Sequence, residues 1–432
     1  MRTSPSRRSA ASSGARRILA LLVPAALLAA PALAQGQVLS QRGFIEGSVR
    51  LFPQEAPNDP TRAVGELLVR DEVFLKPAPW VQFAAGLDLR ANSHDQIDDR
   101  WSLDVLDRGV LRPRLSIRRL TATLTRGPVT LDLGKQFVRW GVADIVNPTD
   151  RLAPRDFMNV IDAEFLGITA ARGTVHGRGH IIEAVWTPRF TASRSPLLAQ
   201  RWTAVPPDAR GLPIVPVPVS RSARSQVGLR WGHTTGSVEY SLSAFDGFNH
   251  LPDVQPVVTF SPGPPPRPTA VEITSVYPRI RTYGGDLAWP TRWFTIKTEA
   301  AYFTSPAATS DEYGLYVVQL ERQSGEWLFV GGYAGEVTSR KVAATTFAPD
   351  RGTSRSILAR ASRTIDVNSS FAFEGAVRQN GRGTYIKGEY SRAHGQHWRT
   401  TLTGVVLGGH SDDFFGQYHR NSHLKTTLRL SF

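Results

Sequence analysis

Cysteine is absent from this 432-residue chain. That excludes disulfide scaffolds, thiol catalysis, zinc fingers and iron–sulfur sites together. Long apolar runs are missing too: past the N-terminus no stretch of about 18 apolar residues occurs, which excludes helical membrane spans. Charged residues make up only 20% of the chain. Lysine occurs at 76, 135, 297, 341, 387 and 425 alone, so arginine carries almost all of the formal +14 charge. No basic helix or recognition motif accompanies that charge, and nucleic acid is not an expected partner. Neither G-x-S-x-G nor H-E-x-x-H occurs, so no hydrolase motif points to an enzyme.

Residues 1–34 read as a secretory signal peptide. Arg2, Arg7, Arg8, Arg16 and Arg17 give a basic start, Ile18 to Ala34 is apolar, and Ala32-Leu33-Ala34 supplies a small-x-small cleavage site before Gln35. An exported chain without cysteine suits the envelope of a double-membraned bacterium. Residues 35–432 are then the working protein.

That protein is patterned at period two. Val81, Phe83, Ala85, Leu87 and Leu89 alternate with Gln82, Asp88 and Arg90; Val238, Tyr240, Leu242 and Ala244 alternate with Glu239, Ser241 and Ser243. Phe294, Ile296, Ala300 and Tyr302 alternate with Lys297 and Glu299. The segments run about 9–12 residues, the length a tilted strand needs to cross a bilayer core. Strands can cross lipid only as a closed ring, with one face apolar and the other turned to a polar lumen.

The links between segments alternate in length. Short ones fall at 76–79, 126–128, 177–179, 233–236, 290–292, 323–326, 366–369 and 393–396. Longer ones fall at 53–62, 91–112, 141–163, 191–222, 247–272, 305–312, 339–355 and 408–421, and a brief link at 379–383 takes a long-loop slot. Short turns belong on the periplasmic side and long loops outside. The expected fold is all-β: a transmembrane antiparallel up-and-down β-barrel of about 18 strands. Sixteen is the alternative count, because 43–52 and 164–176 alternate poorly.

The C-terminus phases Leu424, Leu428, Leu430 and Phe432 on one face against Lys425, Thr427, Arg429 and Ser431 on the other. Leu428, Leu430 and the terminal Phe432 resemble the strand read by the barrel-assembly machinery.

A sharper resemblance covers about 30 residues: Leu133-Gly134-Lys135-Gln136, Arg139-Trp140-Gly141, Asp144, Asn147-Pro148-Thr149-Asp150-Arg151 and Pro154-Arg155-Asp156. This is similar to a G-[KR]-Q…W-G…N-P-x-D segment of outer-membrane porin-like families, near alginate-export-like and general porins. The resemblance implies a passive barrel channel in the bacterial outer membrane and leaves the solute open.

Phasing the strands gives the expected channel lining: Asp88, Arg90, Arg230, Glu239, Asp286, Lys297, Glu299, Arg360, Glu374, Arg378, Lys387, Glu389, Arg399, Lys425 and Arg429. Its signs are balanced, which suggests weak ion selectivity and cross-strand salt bridges. Asp144, Asp150, Arg151, Arg155 and Asp156 alternate in sign along the loop at 141–163, which could fold inward and narrow the lumen or form turns at its rim. Arg189, Arg194, Arg201, Arg210, Arg221 and Arg224 crowd another long loop, where guanidiniums could hold lipopolysaccharide phosphates. Trp80, Trp140, Trp186, Trp231, Trp289, Trp293, Trp327 and Trp398 fall near strand ends, as an interfacial girdle requires.

The expected partners are therefore outer-membrane lipid and lipopolysaccharide, the assembly machinery and small hydrophilic solutes. Homotrimerisation is a further expectation carried by analogy alone. No metal or cofactor is expected. Asp95, Asp98 and Asp99, and His410, Asp412, Asp413 and His419, lack calcium-loop spacing. His410-Ser411 and Ser422-His423 keep a surface hydrolase open as a lesser reading, and the long loops keep an adhesion barrel open.

Overall fold

The computed structural model describes residues 38–204, 211–217, 224–342, 345–346 and 348–432; the signal segment 1–34 lies outside them. Eighteen antiparallel strands close into one ring. They are β1 (Leu39–Leu51), β2 (Ala63–Ala78), β3 (Val81–Asn92), β4 (Leu115–Arg126), β5 (Val129–Gln136), β6 (Ile168–Gly177), β7 (His180–Thr187), β8 (Gln226–Thr235) and β9 (Val238–Phe248). The second half comprises β10 (Arg279–Pro290), β11 (Thr295–Thr304), β12 (Glu312–Ser324), β13 (Trp327–Arg340), β14 (Ser356–Asp366), β15 (Ser369–Arg378), β16 (Gly383–His394), β17 (Trp398–Gly409) and β18 (His423–Ser431). Each strand pairs with its sequence neighbours, and β1 pairs with β18 from Phe44↔Ser431 to Leu51↔Leu424. Gly43 and Phe432 then exchange both backbone hydrogen bonds, at 2.9 and 3.0 Å, so the ring has no open edge.

The count is eighteen rather than sixteen because both weakly alternating segments are strands. β1 turns Gly43 and Gly47 outward, and β6 turns Ala171 and Gly173 outward. Small residues blur the apolar signal without breaking the pleat. Links alternate as expected, with two-residue turns such as Gly127–Pro128, Arg178–Gly179 and Gly236–Ser237 at one end and the long segments at the other.

Alternation holds around the wall. On β18 Leu424 and Leu428 face outward with 46–47% exposure, while His423 opposite Val405 faces a packed interior, where Val405 is 2% exposed. Gly134, at φ +113°, interrupts the phase of β5. Lys135 follows it and is buried, although its partner Leu120 is exposed on the outer wall.

One outward position breaks the apolar band. Asp71 stands mid-strand on β2 between Gly43 and Leu87, flanked along the strand by Val69 and Val73. Its carboxylate accepts from the Gln41 amide at 2.9 Å. Carboxylates on the lipid face near the midplane destabilise a barrel, though less than Arg or Lys. Asp71→Leu is therefore expected to stabilise the fold by about 1 kcal/mol, measured by chemical unfolding in lipid vesicles; a destabilised variant would contradict this placement.

Candidate functional site

The lumen carries two kinds of wall. In the lower, short-turn halves of the strands the inward positions are polar: Glu239 and Ser241 on β9, Asp286 on β10, Lys297 and Glu299 on β11, Gln319 and Glu321 on β12, Arg360 on β14, Glu374 on β15, Lys387 and Glu389 on β16, Arg399 on β17, and Lys425 and Arg429 on β18. In the upper halves of β9–β17 they turn apolar: Phe245, Ile280, Ala301, Phe303, Leu315, Val317, Ala334, Leu358, Ala376, Val405 and Leu407 are all buried. The fifteen expected lining residues sit at inward register positions, but not all meet open lumen. Asp88, Asp286 and Glu299 are buried, and Arg378 is tied to the loop residue Asp413 at 3.0 Å and to the Gly352 carbonyl.

The apolar wall is covered by the segment between β5 and β6, together with Trp202 and, from the link between β17 and β18, Phe415 and Tyr418. Trp140 and Leu152 pack with Val185, Phe245, Phe303 and Leu315. Ala143, Val146 and Val160 pack with Val317, Ala334, Leu358, Ala376 and Val405. Trp140 is accordingly buried in the interior, with its indole N–H donating to Glu183; it does not belong to a membrane girdle. Trp80, Trp186, Trp289, Trp293 and Trp398 are exposed near strand ends.

One wall carboxylate, Glu299, takes four hydrogen bonds from this segment. Glu299 accepts from the backbone N–H groups of Val142 and Ala143 at 3.2 Å and of Thr149 at 2.8 Å, and from the Thr149 hydroxyl at 2.7 Å. Gly141 lets the chain come that close: it adopts φ +95°, and a Cβ there would stand 2.4 Å from the carboxylate. Asp150 Oδ1 accepts from the Trp140 N–H. The W-G…N-P-T-D pattern is thus a double turn wrapped on a carboxylate supplied about 150 residues later.

Ion pairs hold the rest. Asp144 meets Lys297 at 2.9 Å, and Lys297 also meets Glu321 at 2.7 Å. Arg151 meets Asp350 at 3.0 Å and lies over the Phe303 ring. Asp156 lies between Arg112 at 2.8 Å and Arg194 at 2.9 Å. Arg155 stacks on Phe165. Asp162 reaches Arg50, Lys425 and Lys387 at 3.3, 3.7 and 4.0 Å. These partners stand on β1, β11, β16 and β18 and in the loops, so the segment spans the lumen. On β2 and β3 the wall itself is ionic, with Arg70 and Arg90 on Asp88, and Arg90 also reaches Glu164 of the segment.

Two described arginines of the arginine-rich loop face inward as well. Arg194 is sealed against Asp156 and Asp107, and Arg201 donates to the Gln54 and Thr61 carbonyls. Neither is available to a surface phosphate; Arg210 and Arg221 lie outside the described residues. Asp98 and Asp99 pair with Arg100 and Arg114, and Asp412 with Arg382. Among the described residues no three His, Asp or Glu side chains gather as metal ligands. His423 is buried on Asn421 and Ser422 caps the Leu407 backbone, apart from the exposed Ser411.

Sequence reading missed the apolar upper wall. Its signal was present: Leu315 to Val318 and Val405 to Leu407 are apolar on both faces, as strands buried on two sides must be.

No protein-family model matches the chain, and no curated protein matches it. Solved structures do. OpdQ of Pseudomonas aeruginosa superposes with a TM-score of 0.51 at 11% identity, over 91% of this chain and 98% of that one. OccAB4 of Acinetobacter baumannii gives 0.52 at 10% identity, over 92% and 98%. A BenF-like porin from Pseudomonas fluorescens Pf-5 gives 0.50 at 8% identity, over 91% and 97%. The fold is that of a porin barrel.

Glu299→Ala leaves three backbone donors and a hydroxyl in a dry site, each worth about 1–3 kcal/mol, so unfolding stability should fall by at least about 3 kcal/mol; a change below about 1 kcal/mol would show that the segment is not held there. Burial pushes the Asp150 carboxyl up to about 6 against the pull of Arg155 and Arg151. Folded protein then binds a proton that the unfolded chain, near 3.8, has lost. Asp150 accordingly costs stability progressively as pH rises from about 4 to about 6. Asp150→Asn should flatten that part of the stability–pH curve and be the more stable protein at pH 7; identical curves would refute the assignment.

Proposed function

We propose that this chain is an outer-membrane, porin-like channel through which small hydrophilic solutes or ions diffuse passively. The observation that carries the reading is the inward face of an eighteen-strand ring, lined with ionisable side chains in its lower half. Rings of 16–18 strands leave an aqueous channel. Residues 1–34 would deliver the chain to the envelope, and β18 with Leu428, Leu430 and Phe432 would present it to the assembly machinery. The resemblance of residues 133–156 to alginate-export-like and general porin segments supports the same reading at finer grain.

The segment carrying Asp144, Asp150, Arg151, Arg155 and Asp156 is the constriction of this channel. It sieves by width, and the paired charges beside it set a mixed field in place of a ring of one sign. Nothing is turned over chemically. Arg399 and Arg429 face each other across β17 and β18 near the short-turn mouth, where an entering or leaving ion meets them with Lys425 above.

Purified protein in a planar bilayer should give stepwise conductance, and Glu299→Ala should enlarge the step by loosening the constriction. A trace without steps at any voltage would defeat the proposal. Replacing Arg399 and Lys425 by Gln should shift the reversal potential in a salt gradient toward cations; an unmoved potential would remove both residues from the ion path.

A further inference from the structure

The outer wall between β9 and β13 is not smooth. Two abutting grooves of about 430 and 280 Å³ lie on it and share Ala300 and Tyr316. Their floor is Gly285, Ala300 and Gly314 on three successive strands. Leu242, Tyr283, Tyr302 and Val337 rise around it and are exposed. The Tyr316 ring leans across Gly335, where a Cβ would collide with it. That keeps the ring off Gly314 and Ala300 and holds the groove open.

At the long-loop end of the groove stand two arginines. Arg279 and Arg281 share the outward parity of Tyr283 on β10. Both lean on one carboxylate, Asp246, at 2.7 and 3.2 Å. Their side chains stay 50% and 59% exposed, so two guanidiniums against one carboxylate leave a net positive charge and free donors turned outward. Trp289 marks the opposite boundary of the same strand. Eight residues at roughly 3.3 Å, tilted about 40°, separate it from Arg281 by about 20 Å of height. An apolar band of about 25 Å puts the arginines at the headgroup level of the far leaflet.

We propose that this groove binds one phosphorylated acyl lipid of the outer leaflet, with its phosphate on Arg279 and Arg281 and an acyl chain along Gly285, Ala300 and Gly314. Guanidinium forks match phosphate oxygens in geometry and charge. The Tyr-rimmed apolar floor directly below demands a hydrocarbon tail, which free phosphate lacks. The leaflet assignment rests on the outer-membrane reading above; the lipid's chemistry rests on the wall. The site is separate from Arg194 and Arg201, which the interior consumes.

The test is native mass spectrometry of the full folded chain in non-ionic detergent with added lipid A, paired with bilayer conductance on the same preparations. Wild type should retain one lipid A. Arg279→Gln with Arg281→Gln should weaken retention about tenfold, the equivalent of one lost charge-assisted contact, and Ala300→Phe should weaken it independently by filling the floor. Conductance should be unchanged in both. Inorganic phosphate in large excess should not displace the lipid. Equal retention by wild type and both variants overturns the proposal. So does full displacement by phosphate, or a wild-type dimer or trimer abolished by Ala300→Phe, which would make the groove a contact between copies. If Ala300→Phe fails to fold, the arginine pair alone decides. Lost conductance with lipid retention intact would strike the channel reading and leave this one standing.

Discussion

Every feature of the molecule depends on the pairing of its first strand with its last. A backbone in hydrocarbon has no water to satisfy its N–H and C=O groups, so the hydrogen bonds between β1 and β18, ending at Gly43 and Phe432, are what permit the other seventeen pairings to sit in lipid. Closure also divides the side chains into two populations with opposite requirements. One must be apolar. The other must find partners or be covered, because the lumen is narrow enough for facing charges to meet.

The lumen meets that second requirement in two different ways. On β2 and β3, and in the links folded over them, it uses ion pairs, and Asp156, held between two link arginines, shows how strongly they act. Burial alone would raise its carboxyl, yet the Arg112 and Arg194 guanidiniums hold it well below the ordinary carboxylate range. Along the upper halves of β9–β17 it uses apolar contact with the segment between β5 and β6. That segment is therefore amphipathic in three dimensions, ionic toward one side of the barrel and greasy toward the other. Glu299 marks the seam, where a wall carboxylate is satisfied by backbone donors and one hydroxyl of the segment. Breaking a buried ion pair costs about 3–5 kcal/mol, so these contacts fasten the segment firmly to the wall.

Much of this was legible in the amino-acid order, and the reasons are local. Strand phase follows from side chains two residues apart, so β3, β9, β11 and β18 could be read directly. Link lengths gave topology. β1 and β6 were harder because Gly43, Gly47, Ala171 and Gly173 offer no contrast with the polar face. The loop charges were illegible in principle. Whether Arg194 meets solvent or Asp156 depends on a fold that joins loops 38 residues apart, and Trp140 looks like a strand-end tryptophan until Glu183 is seen beside it. Glu299 read as one lining charge among many, since three of its four donors are main-chain groups, which have no letter in a sequence.

The anchoring of the segment between β5 and β6 also bears on how much of the chain its seating requires. The segment at 137–167 emerges early, and only some of its holds (Arg50, Arg90 and Arg112) precede it; Glu299, Lys297, Asp350, Lys387 and Lys425 come later in the chain. An N-terminal half inserted by itself would present an unfilled ionic trough and a tethered strip of exposed Trp140, Val146 and Leu152. Seating the strip inside and satisfying the seam therefore both require strands from the second half of the chain.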